Sequence, residues 1–314
     1  MSYGEIIGTA FRIAWRNRYL WFFGLFAGTG ANVPGPNLGG NFNFGRPQRA
    51  HAAEPLSPLA QGPPHLGLIV AIGVAVLVLV LVLIVLSLIS QGALAESVAA
   101  IDRGGERRFG TAWRAGTRHF WRVLGLAALL LAIVLAAVIV VGVPLAALVW
   151  GVFSLTGALA PRILVGVFAG VVAIVALVLL FIPLPIIGQL GLRELVLREQ
   201  RPVAAFRAGL ALFRGELGKS LLLWLIQLGI SIGLAIAVFI AVIVVGLVLA
   251  LPGIGLIAGG LKTAAIVAWI IGGAILLALL LVVLGALGTF HHAYWTIAYL
   301  RLRASGAAVA PAAA

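Results

Sequence analysis

The sequence predicts an all-α protein: a polytopic transmembrane helix bundle of about six spans, with interfacial amphipathic helices preceding spans in a weak internal repeat. Three observations carry that expectation. Of 314 residues, 63% are hydrophobic and only 9% charged, with a mean hydropathy of +1.21, whereas a soluble domain carries roughly 25% charged residues. The apolar residues fall in unbroken runs, so the helices they form are apolar on every side and suit lipid as their solvent. The cations are concentrated in alternate connections between the runs. A transmembrane β-barrel needs short alternating segments, and these runs do not alternate.

Taken in order, residues 1–18 read as an interfacial helix carrying Arg12, Arg16 and Arg18, and residues 19–29 as a short first span, YLWFFGLFAG followed by Thr29. Ten apolar residues fall short of the roughly 20 needed to cross about 30 Å of hydrocarbon, and snorkelling arginines are expected to extend the reach. A cleaved signal peptide is the competing reading. A retained helix is favoured because the same basic and aromatic pattern recurs inside the chain. Residues 30–65, rich in Gly, Pro and Asn, read as a mobile extracytoplasmic loop.

Residues 66–303 hold five further spans, centred on charge-free runs at 66–89, 123–150, 163–187, 221–251 and 263–290. Pro144, Pro183 and Pro185 fall near helix ends, where proline stops or kinks a helix. Leu251-Pro-Gly-Ile-Gly255 is expected to turn the last hairpin. Residues 1–303 thus form one integral membrane domain, followed by an Ala-rich tail at 304–314.

Lys and Arg placement sets the expected orientation. The N-terminal segment, the connections at 92–122 and 188–220, and the C-terminal segment together hold 17 of the 21 cations. Arg46, Arg49, Arg162 and Lys262 lie on the other side. Both termini are therefore expected in the cytoplasm, with the protein in the bacterial inner membrane.

Three segments resemble one another. Gly8-Thr9-Ala10-Phe11-Arg12 matches Gly110-Thr111-Ala112-Trp113-Arg114 except at the aromatic, and Val203-Ala204-Ala205-Phe206-Arg207 is a weaker copy. Arg16 and Arg118 follow four positions later on the same helical face in the first two. The third has Ala211 there, with its next cation at Arg214. Glu96 and Glu194 hold equivalent places in the lead-ins GALAE and GQLGLRE, and each is expected to link to a nearby arginine. These lead-ins, the N-terminal GTAFRIAWRNRYLWFFGLF and the terminal TFHHAYWTIAYLR resemble a broad group of largely uncharacterised bacterial six-helix membrane proteins. Some of these are labelled by analogy with the membrane domain that accompanies glycerophosphodiester phosphodiesterases. The resemblance implies a membrane fold and a lipid connection but no activity, because the soluble catalytic barrel of such fusions is absent.

The candidate binding residues follow from charge. A net charge of +13 placed beside membrane spans points to anionic headgroups of the cytoplasmic leaflet rather than to nucleic acid. The candidate anionic-lipid contacts are Arg12, Arg16, Arg114, Arg118, Arg122, Arg207 and Arg214. Phe11, Trp15, Trp113, Trp121, Phe206 and Trp295 are the aromatics expected at the interface. His291 and His292 are expected at headgroup depth, pointing apart rather than sharing a metal. The absence of cysteine excludes disulfides and thiolate sites.

The acids sit among arginines, and no catalytic residue, metal site or cofactor is expected. Gly166–Gly170 and Gly229–Gly233 permit close helix packing, within the chain or between copies. The leading expectation is a non-catalytic, lipid-associated scaffold, accessory subunit or regulator, with an unidentified membrane protein as a further partner. The alternative is a transporter or permease for an uncharged or amphipathic substrate, which needs no ionisable residue at mid-membrane depth.

Overall fold

The computed structural model describes residues 2–28 and 66–309, and these are helical apart from short connections. The expected loop at 30–65 and the end of the tail lie outside the described residues. Helices α1 (Tyr3–Arg16) and α2 (Leu20–Ala27) precede α3 (Leu66–Asp102). Next come α4 (Phe109–Ala137), α5 (Val143–Leu155), α6 (Leu159–Phe181), α7 (Pro183–Leu197), α8 (Pro202–Gly215), α9 (Leu217–Ala258) and α10 (Lys262–Val309).

Among the described residues, five helical stretches are long and apolar enough to cross a membrane: 67–102, 109–155, 159–197, 217–258 and 262–304. The expected sixth crossing falls on α2, which has 8 residues and a length of about 12 Å at ~1.5 Å per residue. By itself that helix is shorter than one crossing, and it packs against α10 and α3.

Proline explains two interruptions. Pro144 has no N–H to give to the preceding turn, and the chain passes it through a π-helical turn, Val138–Gly142, joining α4 to α5. Pro183 begins α7 directly after the break at Ile182. Pro252, in contrast, stays inside α9, and the expected hairpin turn at 251–255 is helical. The chain turns later, at Gly259–Leu261, where Gly260 takes a φ of 79° that favours glycine.

The bundle has two unlike ends. Along α3 every large apolar side chain of residues 68–85 is exposed, a stretch about 27 Å long at ~1.5 Å per residue. The other long helices likewise expose their apolar side chains toward that open end. At the opposite end the chain is closely packed. Residues 288–299 of α10 are buried without a break, surrounded by α1, α2, α3, α7 and α9. One apolar cluster joins Ile6, Leu20, Phe23, Leu94, Leu190, Leu223 and Ile297, and a second joins Leu88, Val123, Leu126, Leu195 and Ala205.

Small residues set the spacing at this packed end. A Cβ on Gly116 would collide with the Ile89 carbonyl, and one on Gly209 would stand 2.8 Å from the Gly191 nitrogen and 2.9 Å from the Ile187 carbonyl. Gly24 meets Gly285, Gly288 and Thr289 in the same manner, seating α2 on α10. The glycine pairs singled out from sequence behave otherwise: a Cβ at Gly166, Gly170, Gly229 or Gly233 would meet nothing within 4 Å. They make no close helix contact in the chain. Gly116→Val is therefore expected to destabilise the protein by about 1–3 kcal/mol through overpacking. Gly229→Val should stay within about 0.5 kcal/mol, and thermal unfolding in detergent separates the two; equal shifts would contradict this packing.

Candidate functional site

The three repeated segments come out as three helical faces with one design. Ala10, Ala112 and Ala205 are each fully buried against a long helix, while Arg12, Arg114 and Arg207, two positions on, are exposed. Four residues beyond each alanine stands a second small buried residue: Ala14, Gly116 and Gly209. Ile89 and Ile187, whose carbonyls seat Gly116 and Gly209, each precede the equivalent glutamates, Glu96 and Glu194, by seven residues. The repeat therefore extends to the receiving helices. Its first unit is closed by the far end of the chain, because α1 packs on α10.

The two glutamates anchor different things. Glu96 accepts from Arg107 at 2.8 Å and lies 3.3 Å from His119, tying α3 to the following connection and to α4. Glu194, fully buried on α7, accepts from Nε and Nη2 of Arg303 at 2.9 and 2.5 Å, and Arg198 stands 3.9 Å away. Both thus carry the arginine link expected of them, and the second one fastens α7 to α10.

The candidate residues divide by environment. Arg12, Arg16, Arg114, Arg207 and Arg214 are exposed and form no ion pair among the described residues. Arg118 and Arg122 are instead paired with Glu199, Arg122 at 3.5 Å. The stripe of three free arginines expected on α4 reduces to one, Arg114, because the α7–α8 connection brings a carboxylate to the other two.

Phe11 and Trp15 are exposed and stack with ring centroids 5.9 Å apart, and Trp121 is 76% exposed. Trp113 is half-buried against Phe109 and Phe23, and Phe206 packs on the second apolar cluster. Trp295 corrects its expectation, being 2% exposed in the core. It lies on the stretch of α10 that five helices enclose, a position its own apolar helix could not reveal.

The same enclosure makes a buried polar centre where an interfacial belt is expected. Arg193 is fully buried with no carboxylate partner among the described residues; its Nη1 donates to the Gln189 carbonyl at 2.9 Å and to the Gln189 side chain. Its Nη2 donates to the His292 carbonyl at 3.3 Å and faces His292 Nδ1 at 3.5 Å. The His292 ring also hydrogen-bonds the Ala27 backbone at the end of α2. Gln227 Nε2 donates to His291 Nδ1 at 2.8 Å and to Ser231 at 3.1 Å. Each imidazole thus turns Nδ1 toward a polar group on a neighbouring helix, Gln227 or Arg193.

This centre knits α2, α7, α9 and α10 together. Its rings lie nearly perpendicular, at 77°, so they point apart as expected. Sequence reasoning placed these residues at the interface. The signal it could have used is the way polar side chains (Gln189, Arg193, Gln227, His291, His292) follow or interrupt charge-free runs that have no other use for them.

An all-helical chain with five stretches able to cross a membrane, an apolar exterior at one end and a polar centre at the other defines a class of protein rather than an activity. The chain belongs to a family of unknown function, DUF7544, whose pattern it matches over residues 15–303. No curated protein and no solved structure matches it.

Breaking the buried anchor should matter more than breaking the exposed one. Glu194→Ala is expected to lower stability by about 1.5–3 kcal/mol, since it strands Arg303. Glu199→Ala, in an exposed pair, should cost about 0–1 kcal/mol. Thermal melts of the two variants decide between this ranking and its reverse.

Proposed function

We propose that this protein is a non-catalytic integral membrane protein of the bacterial inner membrane that acts as a lipid-associated scaffold, accessory subunit or regulator. In this reading the open end spans the hydrocarbon and the packed end, with both termini, lies at the cytoplasmic face. The charge-free exterior of residues 68–85 supports the first point, since it matches a hydrocarbon core of about 30 Å. The cation asymmetry supports the second, with Arg162 and Lys262 at the open end and most of the arginines at the other. The α2 helix then enters from the packed side as the beginning of the sixth crossing, and α1, α8 and the start of α4 lie along the headgroups.

One observation carries the lipid-associated reading: Arg12, Arg114 and Arg207 occupy the same repeat position, and all three are exposed without a carboxylate partner among the described residues. The arginines that fasten helices are paired or buried instead, as Arg107, Arg303 and Arg193 are. Each cation near an anionic leaflet contributes about 1 kcal/mol.

Protein extracted in mild detergent is expected to retain anionic lipid above its bulk proportion, as measured by mass spectrometry. The triple variant Arg12→Gln/Arg114→Gln/Arg207→Gln should weaken that retention ~100-fold, three contributions of about 1 kcal/mol. Retention unaltered by the variant would remove the basis of this reading. A reporter fused near residue 110 should be reachable from the cytoplasm; reachability only from outside would overturn the orientation.

A further inference from the structure

The three repeat copies are not equally free. On α4, the residue four beyond the shared arginine is Arg118, already held by Glu199, and Trp113 is packed on Phe109. On α8 the corresponding residue is Ala211, and Phe206 is turned into the second apolar cluster. Only α1 keeps the whole pattern open. Gly8, Phe11, Arg12, Trp15 and Arg16 follow at helical spacing on the face opposite the buried Ile6, Ala10, Ile13 and Ala14. With Arg18 they line an open groove of about 530 Å³.

Three guanidinium groups and no acid line this groove. Arg12 and Arg16 stand one helical turn apart, a like-charge pair that costs an isolated helix a little stability and that an anion between them would relieve. The nearest acid on the same helix, Glu5, is seven residues from Arg12, about 10 Å along the axis. Among the described residues neither arginine has an ion pair or side-chain hydrogen bond to lose.

The aromatic side of the groove identifies the rest of the ligand. The Phe11–Trp15 stack continues to Trp21, whose ring centroid is 5.8 Å from that of Trp15 and over which Arg18 lies at 6.0 Å. Trp21 is fixed there by donating to the Ala14 carbonyl at 2.8 Å. Trp21 itself stands on the apolar α2, where Phe22 is 42% exposed and packs on Phe23, Phe26 and Phe109. The track thus leads from the arginines to a helix without a single charge, a path that suits a headgroup and its acyl chain but not a free anion.

We infer that the α1 groove is a selective site for one phospholipid whose headgroup is a phosphate monoester, the doubly charged phosphate seated between Arg12 and Arg16 and the glycerol and chains lying along Phe11, Trp15 and Trp21. The inference rests on the lipid-associated reading above and narrows it to one copy of the repeat and one headgroup class. A monoester offers three terminal oxygens and up to two charges, enough to engage two guanidinium forks at once. A diester headgroup offers one charge and two free oxygens.

The test titrates the full detergent-solubilised chain with dioctanoyl phosphatidic acid, dioctanoyl phosphatidylglycerol or inorganic phosphate, counting bound adducts by native mass spectrometry. Phosphatidic acid is expected to bind at least ~10-fold more tightly than phosphatidylglycerol, with inorganic phosphate failing to compete. Arg12→Gln/Arg16→Gln should erase the preference and Trp15→Ala should weaken both lipids, while Arg207→Gln leaves the preference intact. These side chains are exposed, and an unchanged thermal melt would show that each variant is folded.

Equal binding of the two lipids, or a preference that survives Arg12→Gln/Arg16→Gln, would overturn the groove assignment while leaving the broader lipid reading standing. Effective competition by inorganic phosphate would overturn it in favour of a soluble anion. Failure of every anionic lipid to bind would instead remove the broader reading.

Discussion

A helix that is apolar on all sides must be surrounded by something apolar, and α10 meets that requirement twice in different ways. Its second half is enclosed by five other helices, and its first half is left bare. The rest of the structure follows from that division. The packed end must bring α1, α2, α3, α7 and α9 to one axis, which needs backbones close together, so glycine or alanine stands wherever one helix seats on another. Ala10, Gly24, Gly116 and Gly209 are those seats. At the open end such seats are fewer: a Cβ on Gly253 would strike the Trp269 ring, whereas one on Gly73, Gly166 or Gly170 would meet nothing within 4 Å.

Enclosing α10 also encloses its polar side chains. Water cannot reach His291 and His292, so their hydrogen bonds must come from neighbouring helices, and Gln227 and Arg193 supply them. A guanidinium without a carboxylate partner is costly in such a setting, yet both terminal nitrogens of Arg193 are engaged by two backbone carbonyls, a glutamine and a histidine, and only Nε is left without a partner among the described residues. The buried centre is therefore a fastener between helices. Beside it, Glu194 and Arg303 link α7 to α10 through opposite charges.

The repeat has been put to unequal use. All three copies keep the buried small residues, because those set helix spacing, and all three keep an exposed arginine. What differs is the flanking residues. On α4 the chain supplies Glu199 to the neighbouring cations, and on α8 the second cation is missing, so the unsatisfied positive charge and the open aromatic face are concentrated on α1. The first unit is also the one whose described span helix has 8 residues. Its aromatic corner of Trp15, Trp21 and Phe22 stands next to the arginines.

The sequence by itself determined the helical class, the five long apolar stretches, the charge asymmetry and the glutamate–arginine links. Those features depend on composition, run length and spacing along one chain. It also exposed the repeat, since GTAFR and GTAWR agree at every position but the aromatic, which needs no knowledge of contacts. Tertiary structure decided what one helix cannot know about its neighbours. Trp295, His291 and His292 are buried because other helices converge on that stretch of α10, and Arg118 and Arg122 lose their freedom to a carboxylate 77 or more residues away. Gly229 and Gly233 have the spacing of a packing motif yet meet nothing, since spacing specifies a face and only the fold says what stands opposite it.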